Sequence, residues 1–143
     1  MTILVLNGSP KGENSITLQT VRYWEQLHPE HTFHVLNVGM QIKALERDFS
    51  TAKKALESAD LILFSYPVYS FVVPSQLHRF VELMKESHAD VRGKFATQLS
   101  TSKHFYDVTA QTFIEENAYD LQLHYIRGLS ADMEDLLSEK GRK

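Results

Sequence analysis

With 143 residues, 43% of them hydrophobic, the chain is long enough for one globular domain with a sizeable core, and disorder is disfavoured. A net charge of −3 provides no basic face, which disfavours nucleic acid and anionic membranes as main partners. Because the chain has no cysteine, disulfides, iron–sulfur ligation, thiolate metal sites and a thiol nucleophile are excluded.

The first half of the chain alternates between strand-like and helix-like patterns. Thr2–Asn7 is an apolar run typical of a strand that is buried on both faces. Helical spacing of apolar residues predicts a helix over 15–28, and residues 32–38 predict a second strand. Helical spacing then returns over 45–59, which predicts a single second helix.

The second half continues the same alternation. Its predicted elements are strands over 61–64, 95–100 and 121–126, and helices over 77–84, 110–117 and 131–140. Alternating strands and helices with short connections predict an α/β fold with a parallel sheet covered on both faces. We expect a flavodoxin-like three-layer sandwich, with a five-stranded parallel sheet in the order 2-1-3-4-5. Ligands of such sheets bind beyond the carboxyl ends of the strands, so the loops after strands one, three and four should line one crevice.

No apolar run approaches the ~20 residues that a membrane-spanning helix needs. The first residues lead directly into a strand, without the charged region and cleavage site of a signal peptide. We therefore expect a cytoplasmic protein. No repeat, linker or low-complexity tract divides the chain, so we expect a single domain over 1–143.

The loop over 8–15 has the character of an anion site. It joins a buried strand to a helix, whose first N–H groups lack internal partners and attract negative charge. Ser9, Asn14 and Ser15 add donors, and Lys11 adds a positive charge. These features predict a pocket for the phosphate monoester of a cofactor, although the loop is neither a Walker motif nor G-x-G-x-x-G. The alternative is a plain connection capped by Asn14 or Ser15, and both interpretations can hold together.

The loop over 65–74 is unusually apolar and aromatic for a connection. Pro67 and Pro74 stiffen it, and an exposed loop of this kind should cover something flat and apolar, such as a ring system. The alternative is that Tyr66, Tyr69 and Phe71 pack on the end of the sheet or on a partner subunit.

The loop over 100–107 is rich in donors and contains two aromatic residues. Polar contacts to the same cofactor and a plain surface loop that ends in an Asp cap are equally compatible with its composition. Its position beyond the fourth strand favours the functional interpretation.

Three motifs together carry a resemblance that covers nearly the whole chain. They are N-G-S-P-K-G-E-N-S at 7–15, P-V-Y at 67–69 followed by V-P-S-Q-L-H-R-F-V-E-L at 73–83, and S-T-S-K-H-F-Y-D at 100–107. In this order they resemble the flavodoxin-fold NAD(P)H-dependent FMN reductases and iron–sulfur flavoproteins. The resemblance implies non-covalent FMN, with its phosphate on the first loop, its ring beside the second and the third loop closing the site. The implied cofactor-binding residues are Ser9, Lys11, Asn14, Ser15, Ile16, Pro67, Val68, Tyr69, Ser70, Ser100, Thr101, Ser102, His104, Tyr106 and Asp107.

The chain departs from that family in two ways. Without cysteine it cannot ligate an iron–sulfur cluster. It also stops soon after the fifth predicted strand, whereas similar proteins often continue, so we expect either a short last helix or one domain of a longer protein.

The resemblance implies an oxidoreductase in which FMN takes a hydride from NADH or NADPH and passes electrons to a small-molecule or protein acceptor. Because the flavin supplies the chemistry, no catalytic side chain and no metal ligand is assigned. Two alternatives remain: a flavodoxin-like electron carrier without its own nicotinamide site, and a non-redox module. The apolar residues 71–73 favour a homo-oligomer.

Other candidate sites are weaker. His28, His31 and His34 could share a face only on one helix, and Pro29 disfavours that helix, so we interpret them as solvated. Ser102, His104 and Asp107 lie too close together in one loop for a working hydrolase triad.

Overall fold

The computed structural model describes residues 1–9, 16–67, 75–101 and 108–126. Strands and helices alternate along the chain, as the hydrophobic patterns predict. The elements are β1 (Thr2–Asn7), α1 (Ile16–Leu27), β2 (Thr32–Leu36), α2 (Val38–Arg47), α3 (Ser50–Ser58), β3 (Leu61–Pro67), α4 (Ser75–Glu86), β4 (Phe95–Thr101), α5 (Val108–Asp120) and β5 (His124–Tyr125).

The strands form one parallel sheet in the order β2-β1-β3-β4-β5, which confirms the predicted topology. Side chains alternate across it. Ile3 and Val5 of β1 pack with Trp24 of α1 on one face. Leu4 and Leu6 pack on the other face, in the core that α2, α3, α4 and α5 share with the sheet. The fold is therefore a three-layer α/β sandwich in which the central strands are buried on both sides.

The predicted single helix over 45–59 is wrong, because two helices occupy this part of the chain. Asp48 has an extended backbone at the end of α2, and its carboxylate accepts hydrogen bonds from the Ser50 N–H at 3.0 Å and the Ser50 hydroxyl at 2.7 Å. These bonds satisfy donors at the start of α3. Leu45 of α2 and Leu56 of α3 still reach the same core, so the apolar spacing continues across the break.

Two further differences concern the ends of the sheet. β2 stops at Leu36, and α2 begins at Val38, where the sequence predicts strand. β5 has only two residues, fewer than the predicted strand over 121–126. The helix predicted over 131–140 lies outside the described residues. Among the helices of the described ranges, none combines the length and the hydrophobicity needed to cross a bilayer.

Candidate functional site

The strands that precede the three predicted loops end side by side. Asn7 at the end of β1 lies opposite Ser65 of β3, and Pro67 at the end of β3 lies opposite Thr101 at the end of β4. The Gly8 N–H donates to the Ser65 carbonyl at 2.8 Å, which extends the contact between β1 and β3 by one residue. The chain therefore leaves β1, β3 and β4 at one edge, the carboxyl edge of the sheet.

Asn7 organises the turn that follows β1. Its side chain is fully buried, and its Oδ1 accepts a hydrogen bond from the Ser9 N–H at 3.2 Å. Its Nδ2 donates to Oδ1 of Asn37, which lies between β2 and α2, at 3.0 Å. The turn toward the predicted phosphate loop is thus held by a side chain of its own strand and by the neighbouring β2–α2 connection.

Close backbone packing explains two glycines at this edge. A Cβ on Gly8 would lie 3.3 Å from Leu77 Cβ and 3.4 Å from Tyr66 Cβ, so the turn packs tightly between α4 and the end of β3. A Cβ on Gly39 would lie 2.3 Å from the Ser9 carbonyl oxygen, closer than real side chains approach. The start of α2 therefore lies directly against the backbone of Ser9.

The described residues include part of the predicted cofactor site. Ser9 is buried directly after β1, Ile16 is the first residue of α1, Pro67 ends β3, and Ser100 and Thr101 end β4. These positions border the same edge of the sheet. The remaining predicted residues lie outside the described ranges: Lys11, Asn14, Ser15, Val68, Tyr69, Ser70, Ser102, His104, Tyr106 and Asp107.

The polar groups at this edge suit a phosphate-bearing ligand. The first turn of α1 carries no acidic residue, so the positive end of its dipole is not neutralised from within the helix. Ser65 is fully buried at the end of β3, and its hydroxyl finds no hydrogen-bond partner within the described ranges. Phosphate esters bind to neutral hydrogen-bond donors. This edge offers such groups in the buried Ser9, the hydroxyl of Ser65 and the N-terminus of α1.

Tyr66 packs at the end of the sheet. It is fully buried, its hydroxyl donates to Gln98 Oε1, and Gln98 Nε2 donates to the Tyr125 hydroxyl. For this residue the alternative of packing on the sheet end is therefore correct. Sequence reasoning missed Gln98 because its partner lies 32 residues away and nothing local marks it.

Two of the three histidines have different environments from those expected, whereas His34 is exposed, as expected. His28 and His31 are only 7% and 9% exposed, so their interpretation as solvated is wrong. His31 Nδ1 pairs with the Met1 amino group at 3.0 Å, and His28 Nδ1 pairs with Glu30 Oε1 at 3.3 Å. The backbone hydrogen bond of Glu30 makes the largest contribution to lowering the pKa of its carboxyl; burial opposes this effect, and His28 and His31 lower the pKa further. Across the described ranges, no set of three or more histidine and acidic side chains is arranged to hold a metal ion.

His78 lies near the start of α4, close to the carboxyl edge. Its ring packs on Phe113 of α5 with the centroids 4.0 Å apart. Burial lowers the pKa of the His78 imidazole, and the Glu82 carboxylate offsets part of this effect.

Comparisons with known proteins agree with the observed architecture. A family model described as a flavodoxin-like fold matches residues 1–130. Over 115 residues the chain is 30% identical to FMN-dependent NADH:quinone oxidoreductase 2 of Pseudomonas syringae pv. tomato. The match covers 60% of this chain and 55% of the relative. The chain thus spans about half the length of the curated relative it matches.

Two solved structures share the fold at low identity. An NADH:FMN oxidoreductase in its apo form superposes with a TM-score of 0.75 at 18% identity, covering 99% of this chain and 88% of that one. An FMN-dependent NADH-azoreductase from Bacillus anthracis, solved with FMN, gives a TM-score of 0.66 at 12% identity, covering 99% and 100%. At such identities the likeness establishes the architecture, and the chemistry has to be argued from the residues.

Proposed function

The chain belongs to the family with the flavodoxin-like fold, and on that premise we propose that it is an FMN-dependent oxidoreductase that oxidises NADH or NADPH. The electrons pass to a small-molecule acceptor, with quinones as the first class to test. Bound non-covalently, FMN would supply the redox chemistry by accepting a hydride and releasing electrons singly or in pairs.

One observation carries this proposal: β1, β3 and β4 are neighbouring parallel strands that all end at one edge, directly before the three predicted cofactor loops. In a parallel sheet of this order, ligands bind at that edge because the connections diverge to opposite faces there. Asn7 pairs with Ser65, and Pro67 pairs with Thr101. All three loops therefore start next to one another, at the ends of neighbouring strands.

Each loop has its own task in the proposed site. Ser9, Lys11, Asn14, Ser15 and the Ile16 N–H would bind the phosphate at the start of α1. The segment from Pro67 through Val68 and Tyr69 to Ser70 would border the ring, where backbone groups can hydrogen bond to its edge. The third loop would close the site through Ser100, Thr101, Ser102, His104, Tyr106 and Asp107.

In this proposal the protein binds and orients and does not itself transfer the electrons. The buried turn at Asn7 and Ser9 is held by its own hydrogen bonds, so the point from which the proposed phosphate loop leaves the sheet needs little ordering on binding. Apolar residues beside the ring would exclude water from it.

Support for the nicotinamide and quinone parts comes from the relatives' names. The Pseudomonas syringae relative is an FMN-dependent NADH:quinone oxidoreductase, and it is about twice as long as the region it shares with this chain. We further propose that residues 1–143 act as a single cytoplasmic domain, that the protein is a homo-oligomer, and that the apolar residues 71–73 contribute to its interface.

The decisive experiment is an anaerobic titration of the purified protein. We expect added FMN to bind with quenching of its fluorescence, NADH or NADPH to bleach its visible absorbance, and a quinone to restore it. Failure to bind FMN would overturn the proposal and leave a non-redox module. Binding of FMN with reduction by dithionite but not by either nicotinamide would instead identify an electron carrier.

A further inference from the structure

Among the residues that the structure describes, Asn37 does not make the hydrogen bond that is typical of its position. It directly precedes α2, where an asparagine side chain ordinarily accepts a hydrogen bond from an N–H of the first helical turn. In the described part of the chain, Asn37 makes no such capping bond. Its Oδ1 instead accepts from Asn7 Nδ2 at 3.0 Å. The side chain is therefore directed toward the end of β1 and away from its own helix.

The hydrogen bonds to Ser9 and Asn37 agree on one orientation of the Asn7 amide. The Ser9 N–H is a donor, so the atom of Asn7 that faces it must be the acceptor Oδ1. The opposite end of the amide is then the donor Nδ2, which needs an acceptor, and Asn37 Oδ1 provides one. A flipped Asn7 amide would place its NH₂ against the Ser9 N–H and an oxygen against Asn37 Oδ1. Because Asn7 is fully buried, its amide cannot turn to solvent as an alternative.

A second contact joins the same two segments. The backbone of Gly39 lies so close to Ser9 that a Cβ would come within 2.3 Å of the Ser9 carbonyl oxygen. The β2–α2 connection thus meets the turn through both a side-chain hydrogen bond and close backbone packing.

We propose that Asn37 is a positioning residue for the phosphate-binding turn: through Asn7 it fixes the course of the backbone at Ser9, from which the proposed phosphate loop leaves the sheet. The inference rests on the proposed function for the identity of the ligand. Loss of the Asn37 acceptor should therefore weaken the phosphate-dependent part of flavin affinity and leave the ring-dependent part unchanged.

The first test uses the unliganded protein and does not depend on FMN. We expect the Ser9 amide to be protected from hydrogen exchange in the parent protein and to exchange on the order of tenfold faster in Asn37→Ala. Asn37→Asp keeps an acceptor at this position and should retain the protection. Equal protection of Ser9 in the parent and in Asn37→Ala would overturn the inference.

The second test compares FMN with riboflavin, which lacks the phosphate. In Asn37→Ala we expect the FMN dissociation constant to rise by about ten- to a hundredfold, by analogy with residues that orient the ligands of a metal ion. The riboflavin constant and the turnover at saturating FMN should not change. Equal losses for FMN and riboflavin would show a merely structural role.

Asn117→Ala is the matched control for the second test. Asn117 of α5 accepts a hydrogen bond from Lys85 Nζ at 2.6 Å and donates to the Phe113 carbonyl at 2.8 Å. Lys85 lies in the last turn of α4, whereas Leu77 in the first part of α4 packs against Gly8. Its loss should lower stability without changing the ratio of the FMN and riboflavin constants. If the parent protein binds neither flavin, the proposed function fails, while the exchange of the Ser9 amide still decides the role of Asn37.

Discussion

The hydroxyl of Tyr66 donates a buried hydrogen bond to Gln98 Oε1, joining β3 to β4 just below the edge where both strands end. Tyr66 directly precedes Pro67, where the predicted ring-binding segment begins. The contact therefore holds the strand end from which that segment leaves. Gln98 continues the connection by donating to the Tyr125 hydroxyl, so β3, β4 and β5 are linked by side chains as well as by the sheet.

We expect Tyr66→Phe to lower the free energy of unfolding by about 1–3 kcal/mol, because Gln98 Oε1 loses this donor in a buried environment. Urea denaturation of the unliganded protein measures the change. In a double-mutant cycle with Gln98→Leu, the two losses should not add, because both substitutions break the same contact.

Tyr119→Phe is the control for this substitution. Tyr119 is 58% exposed and donates to Glu115 Oε1 at 3.2 Å on the surface of α5. Removing its hydroxyl should change the free energy of unfolding by less than about 0.5 kcal/mol. Equal effects of Tyr66→Phe and Tyr119→Phe would contradict the importance assigned to the buried contact.

Gly39→Ala should destabilise the protein despite the better helix propensity of alanine. In a helix without other constraints, this change would stabilise by up to about 1 kcal/mol. Here the new Cβ would lie 2.3 Å from the Ser9 carbonyl oxygen. The three nearest atoms, on Ser9 and Gly8, all belong to the backbone and cannot move aside as a flexible side chain could. We expect a net loss of about 1–3 kcal/mol in urea denaturation and weaker FMN binding in fluorescence titration.

A substitution at Gly93 distinguishes the effect of steric contact from the effect of backbone strain. Gly93 has φ of +80°, and across the described ranges its Cβ position has no atom within 4 Å. Gly93→Ala should therefore cost about 1–2 kcal/mol through backbone conformation alone, with no effect on FMN affinity. A loss of FMN affinity in Gly93→Ala equal to that in Gly39→Ala would show that the two changes act only through global stability.

The strand order could be predicted because continuous apolar runs mark strands that are buried on both faces. Residues 61–64 show this most clearly, since every side chain in that run is buried. The break between α2 and α3 was missed because Leu45, Ala52 and Leu56 reach one core and preserve the helical spacing. The local signal was Asp48 two residues before Ser50, a pattern that commonly starts a helix.

At the candidate site, local patterns identified Ser9 but not the residues that hold its turn. Asn7 and Asn37 are 30 residues apart, and their contact depends on the placement of β2 beside β1. The burial of His28 and His31 likewise depends on tertiary contacts, among them the Met1 amino group. Single-sequence patterns predict which elements form, whereas such pairings appear only once the elements are packed.

Removal of two different buried hydroxyl groups should change the stability of the protein in different ways. Ser65 Oγ lacks a hydrogen-bond partner within the described ranges, whereas Thr97 Oγ1 donates to the Ile126 carbonyl at 2.8 Å. Ser65→Ala should leave the unliganded protein equally stable or up to about 1 kcal/mol more stable, because an unpaired buried polar atom is removed. Thr97→Val should cost about 1–2 kcal/mol, because the Ile126 carbonyl loses its donor.

Thermal and urea unfolding of both variants without FMN measure this difference. Ser65→Ala destabilised as much as Thr97→Val would show that the Ser65 hydroxyl already has a partner. A fall in FMN affinity in Ser65→Ala, at unchanged or higher stability, would add Ser65 to the proposed phosphate site.

The lowered pKa of His78 sets the direction in which pH changes the free energy of unfolding. Burial lowers the pKa of its imidazole in the folded protein below the ordinary value of 6.5, so the unfolded chain binds the proton first on acidification. The titration of His78 has no effect on stability well above that value. The loss of stability grows as the pH falls below that pKa, and becomes constant once the imidazole of the folded protein is protonated.

His78→Phe keeps a ring against Phe113 and removes the titration. Between about pH 7.5 and about pH 5.5, the parent should lose more stability in urea denaturation than His78→Phe does, because the other ionisable groups are common to both proteins. A parent that loses less than the variant would contradict the sign of the shift.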